Sequence, residues 1–227
     1  MNSRKVVFLF ISTLLVGSIS GTIVGIFIRS EILFGEGFAN LFFGLVWIFG
    51  ISAAFALIAQ MGFFAYLTIH RFGLGIFKSA KLWNAAQVVI IAFVLFDLVY
   101  FRYIAFAEAN ETIFHYMVMP LAFLLYAMFI AYLKAKDTNK ATFIPALFFM
   151  YVVTTIEWVP ALLNNDSQWL WLYLTPLISA NTWQLLILHR LQNKDDGKSK
   201  VGNPNSKVEA GHIRTAKKKN KKGQAKK

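Results

Sequence analysis

Six apolar runs of about twenty residues or more, near 6–28, 40–68, 82–106, 112–133, 142–163 and 169–190, constrain this chain more than any other feature. A bilayer core is about 30 Å thick and takes about 20 helical residues to cross. Lipid cannot hydrogen-bond a bare backbone, so a spanning segment is a helix or a strand of a closed barrel. Barrel strands are short and alternate apolar with polar residues, a pattern absent here. Hydrophobic residues make up 57% of the chain, aromatics 16%, and the mean hydropathy is +0.55, far from a water-soluble domain of this length. The expected fold class is an all-α integral membrane protein of six transmembrane helices, residues 1–190, followed by a basic tail, residues 191–227.

The first run has a basic start at Arg4 and Lys5 and small residues in GSISG, as a cleaved signal peptide would. Its apolar character continues through TIVGIFI to Ile28, long enough to span, so an uncleaved first helix is expected. There is no cysteine, which excludes disulfides, thiol catalysis and thiolate metal sites.

Basic residues accumulate in loops that stay in the cytoplasm. Arg4 and Lys5, the group Arg71, Lys78 and Lys81, the group Lys134, Lys136 and Lys140, and everything from Arg190 onward fall on one side of a six-span arrangement. That side holds 21 of the 23 basic residues. Only Arg29 and Arg102 fall on the other, with Glu31, Glu36, Glu108, Glu111 and Asp166. Both termini are therefore expected in the cytoplasm. Trp158, Trp169, Trp171, Tyr173, Tyr100 and Tyr103 lie near the expected outer interface and Trp83 near the inner one, where amphipathic rings settle.

Inside the spans, four ionisable residues stand out. Asp97 and Glu157 are each 15 residues from the cytoplasmic start of their helices, about 22 Å across. Arg102 lies about 7–8 Å further out, and His115 falls in the first turn of the fourth helix. Such groups are costly in lipid, and they usually face the bundle interior or water and have a partner. Asp97 and Arg102 are about 140° apart around their helix, so a shared face is not expected. Arg102 can snorkel to the headgroups or reach Glu157. Two readings remain open: an outward-facing polar pocket of Asp97, His115 and Glu157 with Arg102 at its rim, or separate interhelical hydrogen bonds and one interfacial anchor.

Gly17, Gly21 and Gly25 recur at four-residue spacing, a groove into which another helix can pack closely. That helix belongs either to this bundle or to a partner membrane protein. Pro120, Pro145, Pro160 and Pro176 fall within or at the ends of the last three spans and shape or hinge them. The tail beyond Leu191 has 12 basic and 3 acidic residues. It cannot bury a core and is expected to be disordered. Its lysines, among them Lys217, Lys218, Lys219, Lys221 and Lys222, suit an anionic inner leaflet, at about 1 kcal/mol each when held near the surface. No recognition fold accompanies them, so nucleic acid is not an expected partner.

The chain lacks HExxH, CxxC and a glycine-rich phosphate loop. Its four histidines fall on opposite sides of the expected membrane. No enzyme, cofactor or metal is expected. A small-solute or proton-coupled transporter using Asp97 and Glu157 is the alternative, since membrane carboxylates often relay protons. However, the third and fifth helices do not correspond in a repeated-half architecture.

The opening SRKVVFLFISTLLVGSISGTIVG, the six short spans and TTIEWVPAL in the fifth resemble the KinB-signalling pathway activation protein family (KbaA), over about residues 1–190. The resemblance implies a multi-pass protein of the bacterial plasma membrane that positively regulates a membrane sensor histidine kinase feeding the sporulation phosphorelay. It carries no set of functional residues. A compact bundle that acts by helix–helix contact agrees with it.

Overall fold

The structure, a computed structural model, describes residues 3–35, 37–107, 111–164 and 166–201, without the side chains of residues 32, 167 and 192–201. Every regular element among these residues is helical. Helix α1 (Ser3–Ile28) bends at Arg29 into the short α2 (Ser30–Gly35). Helix α3 (Phe38–Phe77) has 40 residues, about 60 Å, twice what a bilayer core requires. Its C-cap is Lys78, in the left-handed region at φ 51°, whose N–H donates to the Leu74 carbonyl. Ser79 follows directly before α4 (Ala80–Phe106), so the connection is two residues long. The stretch holding Arg71, expected as loop, is helix. Helix α5 (Ile113–Asp137) follows.

The next stretch is expected as one span and is built in pieces. A 3-10 turn (Lys140–Thr142), α6 (Phe143–Phe148), a π-helical turn (Phe149–Val153) and α7 (Thr154–Asn164) run without a break. Asn139 Oδ1 accepts the Ala141 N–H and starts it. In the wider turn, the Thr155 hydroxyl donates to the Tyr151 carbonyl at 2.6 Å. Helix α8 (Ser167–Val201) is started by Asp166, whose Oδ1 accepts from the Gln168 and Trp169 N–H groups.

Five stretches among the described residues are long and apolar enough to cross a membrane: α1, α3, α4, α5 and Lys140–Asn164. The expected sixth, 169–190, lies within α8, but Thr175, Pro176, Ser179, Asn181, Thr182 and Gln184 make it less apolar than the others. The fifth stretch is the centre of the bundle. Its most apolar window is 72% buried, against 11–28% for the other four, and Phe149, Met150 and Tyr151 are fully enclosed.

Two tryptophans expected at membrane interfaces are buried instead. Trp158 donates its indole N–H to the Leu170 carbonyl at 3.2 Å. Trp83 lies against Gly73 and donates to His70 Nδ1 at 3.0 Å. In both cases a neighbouring helix supplies an acceptor that lipid lacks. The bundle ends at Leu188, and the described residues 189–201 belong to a separate unit. The tail expected to be disordered from residue 191 begins as helix to Val201. Lys217, Lys218, Lys219, Lys221 and Lys222 lie outside the described residues.

Candidate functional site

The glycine face of α1 is occupied from within the chain. A Cβ on Gly17 would lie 2.5 Å from the Ala56 Cβ and 3.4 Å from the Ala180 Cβ. On Gly21 it would collide with the Ser52 hydroxyl and approach Pro176, and on Gly25 it would meet Ile48 and Leu172. The three glycines thus face Ala56, Ser52 and Ile48 on α3 and Ala180, Pro176 and Leu172 on α8, each set stepping back by four. Without side chains on α1, three helices approach to backbone distance, which is how packing is gained where lipid removes the hydrophobic drive. The alternative of a groove left open for a partner does not match this geometry.

One further step of the same register brings Thr13, Gln60 and Gln184 to one level. All three are buried, and their side-chain polar atoms have no hydrogen-bond partner among the described residues. Glu157 lies near this polar seam. Its Oε2 accepts from Asn181 Nδ2 at 2.7 Å, and the same amide donates to the Thr154 hydroxyl at 2.9 Å. Glu157 is 8% exposed and Asn181 0%. The other carboxylate oxygen rests on Gly62, at the point where a Cβ would stand. The carboxylate therefore fits only because residue 62 has no side chain.

Asp97 and Arg102 lie elsewhere, together. They line one cleft of about 380 Å³ between α4 and α7, with Leu98, Phe101, Ile156 and Val159 among its apolar walls. The 140° between them does not keep both from lining one cleft, because a long arginine stem covers a wide arc of the helix surface. Arg102 Nη1 donates to Met119 Sδ at 3.6 Å, so its reach is toward α5 and not toward Glu157. Asp97 Oδ1 is buried with no hydrogen-bond partner among the described residues. Glu157 follows Ile156 on α7, about 100° further round, and so turns away from this cleft. His115 is exposed, its ring edge-on to Tyr116 at 5.6 Å. The single pocket of Asp97, His115 and Glu157 thus resolves into three places, and only Asp97 and its expected rim residue, Arg102, share a cleft.

Several residues of the interior were not singled out by sequence. Gly62 and Asn181 hold Glu157, and Gln60 and Gln184 continue the register of the glycine seam. The spacing Ser52, Ala56, Gln60 on α3 and Pro176, Ala180, Gln184 on α8 was the available signal. Lys134, expected in a loop, is buried on α5, its ammonium donating to the Leu185 carbonyl at 2.6 Å. No group of three or more His, Asp or Glu able to hold a metal occurs among the described residues.

Residues 15–191 match the model of a family described as KinB-signalling pathway activation in sporulation, KbaA. The chain is 42% identical over 199 residues to the KinB-signaling pathway activation protein of Bacillus subtilis (strain 168), covering 86% of this chain and 100% of that relative. No solved structure matches.

Proposed function

The chain belongs to the KbaA family, and we propose that it activates the KinB signalling pathway in sporulation from within the bacterial plasma membrane, by contact with a membrane sensor kinase. The observation that carries this reading is the full-length likeness to the Bacillus subtilis relative. Five stretches able to cross a bilayer and a sixth helix of mixed character leave little of the chain to act elsewhere. The outward faces support a lipid or helix environment: Phe42, Phe43, Trp47, Phe93, Phe101 and Phe114 are all exposed. The basic tail adds attraction to an anionic inner leaflet.

Expression of this chain in a Bacillus strain lacking the relative tests the reading. KinB-dependent sporulation output should return while the chain fractionates with membranes. An abundant, membrane-inserted chain that restores nothing overturns it.

Six crossings with both termini inside make a separate prediction. Reporter fusions after Lys78 and Lys136 should read cytoplasmic, and fusions after Glu36 and Asn165 external. An external reading after Lys136 removes the six-span topology, and a cytoplasmic reading after Asn165 removes the fifth crossing.

A further inference from the structure

Asp97 Oδ1 is a buried carboxylate oxygen with no hydrogen-bond partner among the described residues. It stands in the α4–α7 cleft, on the helix that the bundle covers least: 11% of the apolar window of α4 is buried. Apart from Arg102, which lines the same cleft and whose Nη1 donates to Met119 Sδ on α5, the surface around it is apolar and open. Ile156 is 62% exposed, and Phe101, Val159 and Leu163 are exposed as well. A carboxylate among such residues in a bilayer is costly unless something pairs with it. Glu157, by contrast, has Asn181.

The occupant of such a cleft can be a lipid, a second copy or another protein's helix, and the positions of the charges choose among them. Arg102 is four residues from the end of α4 and Asp97 nine, about 6 Å and 13 Å in from the helix end. A phospholipid seated by its phosphate on Arg102 would run its acyl chain past the carboxylate, the worst neighbour for it. A second copy inserted in the same sense and docked symmetrically through this face would set Asp97 against Asp97 at one depth, like charge against like. A foreign membrane helix with a basic side chain at the depth of Asp97 satisfies the carboxylate and covers the apolar walls together.

We infer that the α4–α7 cleft is the docking surface for a membrane-spanning helix of the signalling partner, bearing a lysine or arginine that pairs with Asp97. This rests on the reading that the chain acts on KinB signalling in the membrane.

The absence of native cysteine makes the test direct. Single cysteines are placed in the full chain at Phe101 and Ile156 in the cleft and at Phe43 on a remote exposed face. KinB carries scanning cysteines along its membrane helices. Crosslinks should form from Phe101→Cys and Ile156→Cys, and not from Phe43→Cys. In parallel, Asp97→Lys should lower KinB-dependent output roughly tenfold or more at normal membrane abundance, and an acidic residue in place of the partner's basic one should restore it. Asp97→Lys with full output at normal abundance overturns the inference. So do equal crosslinking from Phe43→Cys, crosslinks only between two copies of this chain, and no crosslinks at all. If the cysteine-free parent chain restores KinB output and these results fail, the docking surface falls and the functional reading stands. If the parent restores nothing, the functional reading falls by itself, and the crosslinks still decide the surface.

Discussion

Gly21→Val should reduce the membrane abundance of this protein roughly tenfold or more. A Cβ at residue 21 lands on the Ser52 hydroxyl and close to Pro176, and two further methyl groups have no space in that contact. Overfilling a packed interior costs about 1–3 kcal/mol and sometimes more, and here it separates three helices at once. Gly50→Ala is the control. It lies on α3 with nothing within 4 Å of the added Cβ, and a helix interior gains slightly from alanine. Quantitative immunoblotting of washed membranes, with proteolysis of the inserted chain, reads both. Normal abundance of Gly21→Val with lost KinB output would reverse the assignment, because a groove reserved for a partner affects signalling and not assembly.

Gly62→Ala should damage the protein through Glu157. The new methyl occupies the place of a carboxylate oxygen, so the side chain has to leave its bond with Asn181. Glu157→Leu should lower abundance for a related reason, leaving a buried amide without its acceptor, at about 1–3 kcal/mol. Glu157→Gln keeps an acceptor oxygen and should accumulate near the parental level. The pairing itself is read from the double variant. Gly62→Ala with Glu157→Ala removes both the intruding methyl and the group it strikes, so the double variant should be no less abundant than the worse single variant. Additive losses would show that Gly62 and Glu157 act separately. Normal abundance of Glu157→Gln with lost output would give the charge itself a role in signalling.

These two predictions concern contacts that sequence reading located only in part. The spacing of Gly17, Gly21 and Gly25 announced a close helix approach. Whether α3 and α8 or a foreign helix filled it was not written in α1. The depth of Glu157 was likewise readable, from its distance to the basic loops, and its partner was not. Asn181 lies 24 residues further along the chain, in a run whose polar residues first read as a diluted span. Asp97 and Arg102 were assigned to different faces by helical angle, and the structure has both line one cleft.

What the sequence alone determined is the helical class, with several helices long and apolar enough to cross a membrane. The reason is a hard constraint: a bilayer accepts only segments that satisfy their own backbone and are long enough to cross it. What only the tertiary structure decided is the facing of those helices and which one is central. In water, a buried face differs from an exposed one by hydrophobicity, and periodicity reports it. In a bilayer the lipid is as apolar as the protein interior, so Phe149 at the centre and Phe93 at the surface belong to runs of the same composition. Facing is then settled by shape, by glycines that admit a neighbour and by the few polar groups that need one, and those matches exist only between helices.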